Sequence, residues 1–153
     1  DKLIKKHEFL LLEAYSGLFK KAGFEKVFLN KTLPKVGECD LIALNPVRGI
    51  LVLGELKRRS QKFMDTSNFI RDAEYIEEVP VAQLKKKTEY WQDHSIQEAL
   101  RSLFGNNVAS QLVPVVILDM LPMPYAGDLP VITPYNNAST LKSKIDSYLK
   151  IVS

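Results

Sequence analysis

A chain of 153 residues, 46% hydrophobic and 25% charged, has the length of one domain and a globular composition, which excludes a disordered tail or a coiled-coil array. Its net charge is only +3, its apolar runs, such as 113–118, are too short to span a membrane, and no signal-peptide pattern opens it. One cysteine, Cys39, excludes a disulfide framework and a Cys-rich zinc site, and points to a reducing, intracellular compartment, cytoplasmic or nucleoid/nuclear.

In chain order, residues 4–22 read as an amphipathic helix, with Ile4, Leu11, Leu12, Tyr15, Leu18, Phe19 and Ala22 at helical spacing and Gly23 as the stop. Residues 26–30 form a short strand. Residues 40–44 (DLIAL) and 50–57 (ILVLGELK) are apolar runs joined by Asn45-Pro46-Val47-Arg48-Gly49, turn chemistry that predicts an antiparallel hairpin. Both runs are apolar at nearly every position, as expected of strands covered on two faces. An acidic helix over 67–79 follows, and Pro80 opens another helix that runs to about 93. Ser95-Ile96-Gln97-Glu98 matches a capping box, so a new helix is predicted over 96–104. A buried strand over 113–120, a proline-rich loop holding an edge strand over 131–133, and a helix over 140–151 complete the chain. The order predicts an α/β fold with a mixed sheet. No glycine-rich phosphate-binding motif supports a nucleotide cofactor.

Charge is unevenly spread. Residues 1–64 carry 13 Lys/Arg against 7 Asp/Glu, residues 65–79 carry 1 against 5, and residues 80–153 carry 7 against 6. A basic first half is thus masked by an acidic insert. The chain opens on Asp1 rather than Met, so trimming or membership of a longer protein is expected.

The informative polar residues stand where the pattern calls for apolar ones. Asp40 opens one strand of the hairpin; Glu55 and Lys57 close the other, two residues apart and so on one face. Pairing through the 45–49 turn would bring Asp40 to Glu55 at one end of the sheet, where charges need a partner or a metal. On the first helix Glu8 lies on the apolar stripe, about 140° around from Glu13, and is preferred as a third carboxylate. Hard oxygen donors with no cysteine or histidine partner suit Mg²⁺ or Mn²⁺, and two carboxylates holding such an ion beside a lysine suit phosphodiester hydrolysis. The competing reading is a structural ion pair at the sheet edge.

Gly37-x-x-Asp40, 14 intervening residues, then Glu55-Leu56-Lys57, with a glutamate-bearing helix ahead, resembles the PD-(D/E)xK nuclease superfamily, in particular archaeal Holliday-junction resolvases and methyl-directed restriction enzymes. The similarity covers about residues 4–93 and departs from the pattern at Cys39, where a proline is usual. It implies a single nuclease-like domain over 1–153 with a restriction-endonuclease-like α-β-β-β-α-β core and an acidic helical insert at about 63–79. It also implies a metal held by Asp40, Glu55, the Leu56 carbonyl and Glu8, Lys57 positioning the attacking water, Gln83 near the metal, and a nucleic-acid partner, DNA favoured. Arg58, Arg59, Lys85, Lys86 and Lys87 flank this set and are assigned to phosphate contact. Tyr90 and Trp91 are read as core, His7 and His94 as surface residues, and Cys39 as no nucleophile. A homodimer or a larger parent protein is left open. The second reading is a non-catalytic domain of the same fold that binds nucleic acid or a partner protein.

Overall fold

The computed structural model describes residues 2–57, 81–106, 109–119 and 127–152. The predicted acidic helix, Arg58 and Arg59 lie outside the described residues. Helix α1 (Lys2–Lys21) is followed by β1 (Lys26–Leu33), β2 (Gly37–Asn45) and β3 (Ile50–Lys57), then α2 (Ala82–Glu89), α3 (His94–Phe104), β4 (Gln111–Leu118), β5 (Val131–Ile132) and α4 (Ala138–Val152). The strands form one mixed sheet in the order β1-β2-β3-β4-β5: the first three are mutually antiparallel, whereas β3–β4 and β4–β5 are parallel. The predicted α/β class with a mixed sheet flanked by helices is what the chain adopts.

The sheet separates two apolar layers. On one face α1 and α4 set Leu12, Tyr15, Phe19, Leu141 and Ile145 against Leu41, Ala43, Val52, Val115 and Ile117. On the other, α2 and α3 set Leu84, Ile96, Leu100 and Phe104 against Ile42, Leu44, Leu51, Leu53 and Val116. Every side chain from Ile50 to Leu56 is buried, which accounts for the unbroken apolar run in β3. Pro114 is tolerated inside β4 because β5 pairs only with Val116 and Ile117, so among the described residues no strand pairs with the proline on that side.

Helix α1 ends as its sequence predicts. Gly23 takes a φ of 100°, the Gly23 N–H donates to the Lys20 carbonyl at 3.1 Å, and the Phe24 N–H donates to the Phe19 carbonyl at 3.1 Å. These two bonds make a Schellman motif, and the Phe19 and Phe24 rings pack edge to face at 5.4 Å, as the motif's apolar contact requires. The Tyr15 hydroxyl, buried in the same layer, donates to the Leu118 carbonyl at 2.6 Å and joins α1 to the end of β4.

Three predictions need correction. β2 begins at Gly37, because the tight turn from β1 carries the pairing back to that residue, so Asp40 stands inside the strand instead of opening it. The first strand is longer than 26–30 and turns tightly through 34–36 into β2, so the first three strands are a continuous antiparallel meander. Its left-handed Asn30 (φ 52°) breaks the side-chain alternation on which a strand is recognised. The capping box at Ser95 is not used. Helix α3 starts at His94 with Asp93 as N-cap, Ser95 Oγ is buried without a partner among the described residues, and Glu98 instead accepts from His94 Nε2 at 3.0 Å.

One tight contact bears on the site. A Cβ on Gly54 would stand 2.8 Å from Ile117 Cδ1 and 3.3 Å from the Leu41 Cβ. Gly54→Ala is therefore expected to overpack the strand beside Glu55 and to cost about 1–3 kcal/mol, read as a lower urea midpoint with an unchanged denaturant slope.

Candidate active site

The β2–β3 register runs Leu44↔Leu51 to Leu41↔Gly54, and its next step sets Asp40 opposite Glu55. Both residues fall on the α2–α3 side of the sheet by alternation from Ile42 and Leu53. The Asp40 Oδ2 atom accepts the Leu56 N–H at 2.7 Å, which fixes its carboxylate across the strand pair. Glu55 is only 5% exposed. Burial pushes its carboxyl up to about 7; the hydrogen bond and charge of Lys87 pull it down, and the neighbouring Asp40, close enough to hydrogen-bond with it, pushes it up further. A buried acid and a half-buried one thus stand side by side, and an ammonium bonds the buried one.

That ammonium comes from α2. Leu84 is fully buried, and Lys87 lies three residues on, along the same helical face. The Lys87 Nζ donates to Glu55 Oε1 and, at 2.5 Å, to the Glu38 carbonyl. Sequence reasoning grouped Lys87 with the phosphate-contacting Lys85 and Lys86. Those two are exposed, while Lys87 is half-buried and turned to the carboxylate. The three-residue spacing from the apolar Leu84 is the signal that distinguishes it.

Lys57 is half-buried at the end of β3 and shares Glu55's face by alternation. Glu8 is half-buried and Glu13 exposed. The buried residues of α1, however, cover the opposite face of the sheet from Glu55. Among the described residues no three His, Cys, Asp or Glu side chains converge as a metal-holding group, so Glu8 does not join Asp40 and Glu55 there. Gln83 is exposed on α2, beside Lys86 and Lys87 in a cleft of about 230 Å³. Tyr90 and Trp91 are half-buried against the α2–α3 layer. His7 and His94 are exposed. Cys39 is buried, and burial pushes its thiol up to about 11, so it stays protonated at neutral pH.

Two adjacent carboxylates, one of them buried, and the nearby Leu56 carbonyl are hard oxygen donors of the kind that fit Mg²⁺ or Mn²⁺. The raised carboxyl of Glu55 marks a negative charge that the apolar layer disfavours and that a cation would relieve. Lys87 supplies part of that relief from within the fold.

No protein-family model matches this chain, and comparison with curated proteins and with solved structures gives no match. No helix among the described residues is long and apolar enough to cross a membrane.

Proposed function

We propose that this chain is a metal-dependent nuclease that hydrolyses phosphodiester bonds in nucleic acid, DNA favoured, with a restriction-endonuclease-like core. The observation that carries the reading is the facing of Asp40 and Glu55 across β2 and β3, with Lys57 on the same face of β3 and Lys87 bonded to Glu55. Asp40, Glu55 and the Leu56 carbonyl would hold Mg²⁺ or Mn²⁺. When bound, such an ion lowers the pKa of water and offsets charge developing on the phosphate.

The chain's own groups do the rest. Asp40, pinned by the Leu56 N–H, orients one donor set against the strand edge. Lys87 holds the Glu55 carboxyl toward its ionised form, the form that binds a cation. Lys57, on the Glu55 side of the strand, positions the attacking water. Lys85 and Lys86, exposed on α2, meet phosphates flanking the scissile bond. Arg58 and Arg59 belong to the same proposed contact.

The second reading is a domain that binds nucleic acid or a partner protein without cutting. The Lys87–Glu55 contact favours it, because an ammonium already compensates the buried carboxylate. A cleavage panel of single-stranded, duplex, branched and RNA substrates, with Mg²⁺, Mn²⁺ or EDTA, separates the two. The nuclease reading expects cleavage that appears with either ion and stops with EDTA. Binding without cleavage across the panel, together with no saturable Mg²⁺ or Mn²⁺ uptake by calorimetry, would overturn it.

A further inference from the structure

A cleft beside the carboxylate pair has the chemistry of a nucleotide seat. It lies between the β1–β2 turn and α2 and is lined by Lys35, Val36, Gln83, Lys86, Lys87 and Tyr90. Among the described residues three lysines line it, Lys35 and Lys87 paired with Asp93 and Glu55 and Lys86 exposed, a basic lining that favours an anion. Its volume of about 230 Å³ has room for one small unit of a strand. Tyr90 is half-buried against the apolar layer of α2 and α3 and also lines the cleft. An aromatic face beside lysines is the combination that takes a base together with its phosphate, whatever the base.

The cleft is also held in shape. Lys35 bonds Asp93 at 2.9 Å, tying the β1–β2 turn to the segment between α2 and α3. Lys86 is exposed and makes no ion pair among the described residues. Lys87 belongs to both places: it lines the cleft and reaches Glu55. A chain occupying the cleft would therefore pass directly into the carboxylate pair.

We infer that this cleft seats one unpaired nucleotide of a nucleic-acid strand, its base or sugar against Tyr90 and Val36 and its phosphate on Lys86 and Lys35. The inference deepens the nuclease reading and rests on it for the position of the strand next to Asp40 and Glu55. It adds a substrate class: strands with an unpaired nucleotide at the cut, single-stranded or flapped, over continuous duplex.

The test is fluorescence anisotropy with the full chain in EDTA, using a short single-stranded DNA and a blunt duplex of the same sequence. Tyr90→Leu is expected to weaken single-strand binding by roughly 5- to 150-fold, the range of one lost base–aromatic stack, and Tyr90→Phe to restore it. Lys86→Gln, at an exposed position where folding is not at stake, should lower the salt slope for single-stranded DNA by about 0.7. Duplex binding should be unaffected by Tyr90→Leu. Unchanged single-strand binding in both Tyr90→Leu and Lys86→Gln, or equal loss on duplex and single strand, would overturn the seat. Cleavage measured in parallel with Mg²⁺ keeps the two readings apart. Cutting by wild type with unchanged binding in the variants removes the seat and leaves the nuclease. Tyr90-dependent binding without any cutting upholds the seat and removes the nuclease.

Discussion

Glu55→Gln is expected to abolish Mg²⁺- and Mn²⁺-dependent cleavage while making the metal-free protein more stable at pH 8. The loss of activity follows from the donor set. Asp40 and Glu55 are the two carboxylates brought together across two central strands on one face of the sheet, and no third acid joins them among the described residues. Removing one charge leaves a single carboxylate, so cleavage should fall by about 10²-fold or more, below the range in which a remaining ligand could compensate. Asp40→Asn should do the same, while its amide oxygen keeps an acceptor for the Leu56 N–H and so preserves the strand pair. Cleavage by either variant at the wild-type rate would rule out the assigned site.

The gain in stability has a definite sign. In the folded protein the Glu55 carboxyl titrates at about 7, above the ordinary value of 4.5. Below pH 4.5 it is protonated whether the chain is folded or not, and the native state keeps the full benefit. Between 4.5 and 7 the unfolded chain releases the proton while the folded one retains it, so stability falls as pH rises, by at most about 1.4 kcal/mol per pH unit. Above 7 the loss is complete. Glutamine does not titrate, so the stability difference between Glu55→Gln and wild type should grow from pH 4.5 to 7 and then level off. Calorimetric unfolding across that range, without added metal, reads it directly. A purely structural ion pair predicts the reverse at pH 8, because Glu55→Gln would then remove a favourable partner of Lys87 and lower the melting temperature.

The part of this site legible in the sequence is the part carried by local pattern. β3 runs from Ile50 to Lys57 as its apolar run predicts, because a strand buried on both faces needs no tertiary information to be recognised. The turn at 45–49 fixes the register, and the register alone sets Asp40 against Glu55. The partner of Glu55 was not legible in the same way. Lys87 lies 32 residues further along the chain, and its role depends on how α2 sits across the sheet. A run of three lysines reads as a solvated face; only the buried Leu84 one turn earlier distinguishes the third. The start of α3 was misplaced for a related reason. Asp93 and Ser95 both have cap chemistry, and Asp93 takes the N-cap position without a side-chain capping bond, its carboxylate binding Lys35 across the turn instead. Glu8 shows the limit of stripe reasoning: a core-facing position on α1 faces the core on α1's side of the sheet, whereas Glu55 stands on the other.

Lys87→Met and Lys57→Met are expected to lose cleavage at pH 7 for different reasons, and pH separates them. Methionine keeps most of the buried stem of Lys87 and removes only its ammonium. Glu55 then loses the hydrogen bond and the charge that hold its carboxyl down, while burial and Asp40 continue to push it up, so it titrates above about 7. At pH 7 most molecules carry a protonated Glu55, which does not bind a cation, and activity is lost. The carboxyl ionises again as pH rises, so cleavage by Lys87→Met should recover toward pH 9, with an optimum displaced to the alkaline side of wild type. Protonation also limits the structural damage, because the variant can neutralise the buried acid at pH 6 instead of leaving an uncompensated charge. Lys57 is assigned to the attacking water, not to the charge state of Glu55, so Lys57→Met should be impaired across the whole pH range with no shift in optimum. Rate–pH profiles of the two variants decide the assignment. An alkaline shift confined to Lys87→Met identifies Lys87 as the group that keeps Glu55 ionised. A pH-independent loss in Lys87→Met beside near-normal rates in Lys57→Met would exchange the two roles and put the water-positioning lysine on α2.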